Sequence, residues 1–219
     1  MQHLAQSLIV DATDPYLTEA DLRRLAMAAK DAGLHGLCVL PGWARKAAIM
    51  VARSGMRIRT LVGYPSGVHT PSVKGLETRL ALQEGAYEVA VTPNLGYLRG
   101  GDQLSLKNEI AYVAKALREV APARARTLGV VFDLDGLSAE QIGPLGALTL
   151  NAGGHGVYLV AREITPDAVR SVLRGLTSRS TTMLVTLHTP VGDAATAQAF
   201  LDAGVQYLVT PNAGDLAQA

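Results

Sequence analysis

Eight short apolar runs, helical stretches between them, and a tetrapeptide repeated half a chain apart predict an α/β chain folded as a compact (β/α)8 barrel with a truncated final helix. The runs begin near Leu8 (LIVDA), Gly36 (GLCVL), Ile58 (IRTLVGY), Glu88 (EVAVT), Leu128 (LGVVFD), Gly156 (GVYLV), Met183 (MLVTLH) and Gln206 (QYLVT). Their starts are 28, 22, 30, 40, 28, 27 and 23 residues apart, room for a strand, a loop and a helix per step. Val91-Thr92-Pro93-Asn94 in the fourth run returns 118 residues later as Val209-Thr210-Pro211-Asn212 in the eighth, each followed two residues on by glycine. That offset suits two related four-unit halves. A doubly wound sheet is the competing topology, but no G-x-G-x-x-G follows the first run.

The segments between the runs carry helix signals in order. Thr18 is a candidate N-cap with Glu19 and Asp21 behind it, and Leu22, Leu25, Ala26 and Ala29 recur at helical spacing. Ser138 with Glu140 opens the fifth helix, Thr165-Pro166-Asp167 the sixth and Asp193 the seventh. Gly33, Gly85, Gly153 and Gly204 stand where helices close. After the eighth run only AGDLAQA remains, too short for a full outer helix. Apolar strand backs are costly to leave in water, so a homo-oligomer, taken as a dimer, is expected to cover that face.

A length of 219 residues fits one domain over 1–219, and 48% hydrophobic against 18% charged residues excludes general disorder. A net charge of +1 gives no sign of a nucleic-acid or membrane-surface partner. No apolar run reaches the roughly 18 residues of a membrane span. The opening MQHLAQSLIVDATD lacks the basic segment of a signal peptide. The single cysteine, Cys38, rules out a disulfide framework and a cysteine-rich metal site. A cytoplasmic enzyme or binding protein without a cofactor is the expectation.

Over residues 8 to 214 the order of motifs resembles the class I deoxyribose-phosphate aldolase family. The stretches that carry the resemblance are Asp11-Ala12-Thr13, Gly36-Leu37-Cys38-Val39-Leu40-Pro41, Val62-Gly63-Tyr64-Pro65-Ser66-Gly67, Ser72-Val73-Lys74, Gly101-Asp102 and Asp202-Ala203-Gly204. The resemblance implies a TIM barrel that cleaves a sugar phosphate through a Schiff base on a sixth-strand lysine. A second lysine on the seventh strand and an aspartate on the fourth assist in that family. Here the three positions fall on Tyr158, Thr186 and Ala90. The chain has five lysines (30, 46, 74, 107 and 115), and none follows Lys115. Lys74 matches a family lysine that opens the third helix, not the one that forms the imine. Imine chemistry needs an activated amine, so it is not expected. The family's phosphate-binding turns read His188-Thr189-Pro190-Val191 and Val209-Thr210-Pro211-Asn212 here, where proline removes a donor from any anion cradle. Arg162 is the remaining candidate for holding an anion.

With Tyr158 facing the lumen, strand alternation turns Val157, Leu159, Val130, Phe132, Val185, Leu187, Val89, Val91 and Val10 outward. It turns Ala90, Thr92, Asp11, Asp133, Thr186 and His188 inward, near the end where barrels build their sites. Asp133, His188, Tyr158 and Asp11 are the candidate proton-transfer groups. Thr13, Thr92, Asn94, Arg162, Thr186, Thr210 and Asn212 are the candidate substrate contacts, with Tyr64, Cys38 and Asp135 nearby. Blander roles stand beside these: loop acceptors for Asp11 and Asp133, turn residues for Asn94, Asn212 and Asp135, packing for Cys38 and Tyr158. A metal held by Asp11, Asp133 and His188 is the weaker reading, because no local spacing demands it. Three functions remain open. One is an altered aldolase-like enzyme acting on a small carbonyl or sugar-like compound by acid–base chemistry, through carbon–carbon cleavage or isomerisation. The others are a non-catalytic paralogue that binds a metabolite or a partner subunit, and deoxyribose-phosphate aldolase itself.

Overall fold

The computed structural model describes residues 2–120, 126–177 and 183–218. Eight parallel strands close in chain order: β1 Leu8–Ala12, β2 Gly36–Val39, β3 Arg57–Val62, β4 Glu88–Val91, β5 Thr127–Asp133, β6 Gly156–Val160, β7 Leu184–His188 and β8 Tyr207–Thr210. β8 returns to β1 with Leu8 opposite Leu208, so the sheet has no free edge. Each expected run holds a strand whose start lies within one residue of the one read from the pattern.

The helix signals act through identifiable bonds. Thr18 and Asp21 form a reciprocal capping box at 3.2 Å on the helix Glu19–Asp31, and Asp193 caps Ala194–Asp202 through the N–H of Thr196 at 2.8 Å. At Ser138 the reciprocal partner is Gln141, not Glu140. The 40-residue step between β4 and β5 holds two helices, Leu95–Gly100 and Gln103–Val120. Gly33, Gly85, Gly153 and Gly204 all have positive φ, the conformation that ends a helix without Cβ strain.

Alternation divides the strand side chains between two cores as expected. Val10, Val89, Val130, Phe132, Val157, Leu159, Val185 and Leu187 pack against the helices. Ile9, Cys38, Leu61, Ala90, Val131, Tyr158 and Val209 fill the lumen. The truncated final helix is Ala213–Gln218, and it packs on β1 and on the short helix Gln2–Ala5. Leu208 and Ala213 are fully buried and Leu216 nearly so, all within one chain. The back of β8 therefore needs no second subunit, which removes the reason given above for an oligomer.

Below Tyr158 the lumen holds a polar plug that pattern reading passed over. Arg59 donates from Nε to Glu88 at 2.6 Å and from Nη1 to Thr186 at 2.7 Å. Its guanidinium lies 5.6 Å from the Tyr158 ring and 5.4 Å from the Tyr207 ring. Thr186 is thus committed to the plug rather than to the mouth where a substrate contact was expected. Burial opposes ionisation of Glu88, but Arg59 and then His35 outweigh it and hold the carboxyl at about 2, below its ordinary 4.5. Its contribution to stability is complete above 4.5 and is lost as the pH falls through about 2. Glu88→Gln leaves a buried guanidinium without its anion and should cost about 3–5 kcal/mol in urea unfolding at neutral pH. The gap from wild type should narrow in acid; a loss below about 1 kcal/mol would show that the plug is not ionic.

Candidate active site

Above the plug a single row of polar side chains runs from the barrel axis to the mouth at the C-terminal ends of the strands. Asp11, at the end of β1, accepts from the backbone N–H of Thr13 at 3.0 Å and from its hydroxyl at 2.7 Å. The second carboxylate oxygen of Asp11 lies 2.9 Å from His188 Nε2, and His188 Nδ1 lies 3.0 Å from the Tyr158 hydroxyl. Tyr158 and His188 meet edge to face, with ring centroids 5.7 Å apart. The phenol oxygen is in turn 3.4 Å from Cys38 Sγ.

This geometry sets the proton positions. An ionised Asp11 only accepts, so neutral His188 carries its hydrogen on Nε2 and presents the Nδ1 lone pair to the Tyr158 O–H. Burial alone would raise the Asp11 carboxyl, but His188 and Thr13 overcome it and hold it below the usual aspartate range. Burial pushes the Cys38 thiol up to about 12 and the Tyr158 phenol well above its ordinary value. The inner half of the row therefore stays protonated at neutral pH, while its outer end is an anion. Tyr64 leans over the mouth from the loop after β3, its phenol also raised by burial and by Asp11 and Asp133.

That loop is clamped from behind. Lys74 is fully buried and its ammonium donates to the carbonyls of Gly67 and Thr92 and to the Glu109 carboxylate. Glu109 also accepts the N–H of Asn94 at 2.9 Å, and Glu77 accepts that of Gly63 at 2.9 Å. Gly67 has φ +65°, and a Cβ there would lie 1.9 Å from the Pro93 carbonyl oxygen, so no other residue fits.

The structure gathers Asp11, Thr13, Tyr158 and His188 from the expected set, and Cys38 with them. It does not bring Asp133 into the row, because that carboxylate caps its own turn through the N–H of Asp135 at 3.0 Å. Among the described residues no three His, Cys, Asp or Glu side chains are placed to hold a metal ion, so Asp11, Asp133 and His188 do not form the site weighed above. Asn94 caps the helix Leu95–Gly100 through the N–H of Gly96 at 2.8 Å. Thr210 and Asn212 bond to each other at 2.9 Å, and Asn212 donates to the Val191 carbonyl at 2.6 Å, tying the turns after β7 and β8 together. The Thr92 hydroxyl is buried without a hydrogen-bond partner. Arg162 is 95% exposed and sits beside Asp135 on the rim. Arg59 and Glu88 were missed, although Arg59 shares the inward parity of Leu61.

No family model matches the sequence. The chain is 35% identical over 100 residues to deoxyribose-phosphate aldolase of Thermosynechococcus vestitus, covering 46% of each protein. It is 33% identical over 120 residues to that of Micrococcus luteus (55% of this chain, 52% of the relative) and 30% over 139 to that of Acholeplasma laidlawii (64% and 60%). All three of these relatives are deoxyribose-phosphate aldolases. The chain spans about half of the length of the relatives it matches. Among solved structures, an aldolase designated QR15 superposes with a TM-score of 0.86 at 20% identity, covering 100% of this chain and 96% of that one. A tetrameric deoxyribose phosphate aldolase from Aeropyrum pernix gives 0.87 at 19% identity, over 100% and 91%. At those identities the likeness is one of fold. Among the described residues no helix is long and apolar enough to cross a membrane.

All five lysines of the chain lie on outer helices: Lys30 on Glu19–Asp31, Lys46 on Ala44–Met50, Lys74 on Pro71–Gln83, and Lys107 and Lys115 on Gln103–Val120. No strand carries one. Tyr158→Phe should leave the phenolate absorbance titration below about pH 10 unchanged, because burial keeps this phenol protonated there. The same substitution should cost about 1–3 kcal/mol in stability by stranding His188 Nδ1. A titration step lost near the ordinary tyrosine value would show that the phenol is exposed to water.

Proposed function

We propose that this chain is an aldolase-type enzyme that works on a small carbonyl or sugar-like compound by acid–base chemistry, without a Schiff base, and that it does so in the cytoplasm as an oligomer. The observation that carries the reading is the row Asp11–His188–Tyr158, which occupies the axial site with hydroxyl, imidazole and carboxylate groups while every lysine sits on an outer helix. Asp11 is ionised, partly exposed and the outermost member, so it is the group to accept a proton from a substrate hydroxyl. In a cleavage, that deprotonation forms the new carbonyl. The electron pair of the broken carbon–carbon bond passes to the carbonyl half as an enolate, and protonation of its carbon releases the second product. His188 and Tyr158 keep Asp11 oriented and supply exchangeable protons behind it. Asp133 and Tyr64 flank the opening.

An unphosphorylated substrate is favoured. The Thr189 N–H donates to the Val209 carbonyl, the Val191 N–H to the Thr210 hydroxyl, and Pro190 has none, so the turn after β7 has no backbone donor left at 189–191 for an anion. The competing reading is deoxyribose-phosphate aldolase activity proper, favoured by the sequence relatives, which are deoxyribose-phosphate aldolases. It requires an amine to reach the lumen.

Borohydride trapping separates the two. The protein incubated with small aldehydes and sodium borohydride should gain no reduced-imine mass on a lysine, and an adduct mapped to any of the five would overturn the mechanism. In a screen of unphosphorylated aldehydes and sugars, Asp11→Asn should lower kcat/KM by about 100-fold or more. His188→Ala should act in the same direction. Turnover indifferent to both would place the chemistry elsewhere, and no turnover on any compound would support a paralogue that only binds.

A further inference from the structure

At the end of the barrel opposite the mouth, three neighbouring strands begin with Arg57, Tyr87 and Arg126: the first residue of β3 and the residues just before β4 and β5. Arg59, Glu88 and Thr127 are in register across these strands, so Tyr87 stands level with Arg126 and one step from Arg57. The Arg57 guanidinium lies 4.2 Å from the centre of the Tyr87 ring and that of Arg126 lies 5.0 Å from it. Arg126 is held further by donating from Nη1 to the Ala86 carbonyl. These side chains line a cleft of about 320 Å³ together with Arg53, from the turn after the helix Ala44–Met50. No carboxylate is among the described residues that line it. Glu88 comes to 3.8 Å from Arg57, outside hydrogen-bond range, and its other carboxylate oxygen is taken by Arg59 at 2.6 Å. Three guanidiniums therefore share one concavity, an arrangement that Coulomb repulsion disfavours until an anion enters it.

We propose that this cleft is a second ligand site, one that binds the phosphate group of a small phosphorylated compound between Arg53, Arg57 and Arg126. Guanidinium is the side chain suited to that group, because its planar fork gives two parallel N–H bonds to phosphate oxygens. Stacking on Tyr87 fixes the planes of Arg57 and Arg126 and leaves their N–H edges to bond outward, so part of the ordering cost is met before a ligand arrives. A tetrahedral phosphate has oxygens enough for more than one fork. The cleft is also far larger than a bare phosphate, and Val51, Ala52 and Met56 give it an apolar wall, which suits an ester with a short organic group. A nucleic-acid backbone is disfavoured, since the cations are confined to one concavity and the whole chain carries a net charge of only +1. The site lies at the starts of the strands, whereas Asp11 and His188 lie at their ends, so it stands whether or not the reaction proposed above is correct.

The test is calorimetric titration of the full chain with inorganic phosphate and with glycerol phosphate, ionic strength being held constant with sodium chloride. Each should saturate one site per chain. Tighter binding of glycerol phosphate identifies an ester as the ligand, and tighter binding of inorganic phosphate identifies the free anion. Arg57→Gln and Arg53→Gln should each weaken both by about tenfold or more, while the ligand-free circular dichroism melt stays within a few degrees. Arg57→Lys, which keeps the charge and loses the fork, should recover only part of the affinity. Arg162→Gln, at the mouth, should bind as wild type does. Absence of saturable binding overturns the site, as does binding that survives both substitutions at the base. Binding lost in Arg162→Gln but kept in Arg57→Gln places the anion at the mouth and overturns it equally.

Discussion

A charged arginine sits on the barrel axis, and the rest of the site is arranged around that cost. A guanidinium cannot give up its proton, so in a closed lumen it must be paired and fully hydrogen-bonded. Glu88 from the adjacent strand and Thr186 from across the barrel meet that demand, and the Tyr158 and Tyr207 rings flank the cation. With its ring beside Arg59, the Tyr158 hydroxyl is directed up the axis, where it meets His188 and Cys38. Asp11 then closes the row at the mouth. Removing the pair at the base would loosen the ring that positions everything above it.

Charge along this axis is graded. The base holds an ion pair, the middle holds a phenol and a thiol whose pKa values burial has raised, and the top holds a carboxylate kept ionised by His188. Protonated groups in the middle separate the two carboxylates. The ionised acceptor of the row is consequently at the end that faces solvent, which is the end where parallel barrels place their chemistry.

Much of this was legible in the sequence. Period-two alternation and glycine-closed helices located all eight strands, because the barrel demands apolar backs on every strand and leaves little freedom for register. Parity also set Asp11, Tyr158 and His188 on the inner face. Arg59 was overlooked for a physical reason: arginine in a strand reads as solvent-facing, and its buried state depends on Glu88, 29 residues away, and on Thr186, 127 away. Asn94, Thr210 and Asn212 had the right address but local partners, since a side chain that caps a helix or ties two turns looks, in sequence, the same as one aimed at a ligand. The expected gap behind β8 was closed by two helices of four and six residues, each shorter than periodicity can detect.

The stretches that carry the family resemblance explain how frame and chemistry come apart. Val62–Gly67 and Ser72–Lys74 form the clamp around the mouth: Gly67 pressed on Pro93, Gly63 held by Glu77, Lys74 bonded to both loops and to Glu109. These contacts tolerate almost no substitution, because a Cβ at Gly67 collides with backbone and a neutral residue at 74 leaves Glu109 buried and unpaired. They fix where the loops stand but not what lies on the axis below. Tyr158 fills its place through contacts with Arg59, Cys38 and His188, none of which belongs to the clamp. A mouth of this shape can therefore stand over a lumen whose strands carry no lysine, and strong resemblance in the one says little about reaction in the other.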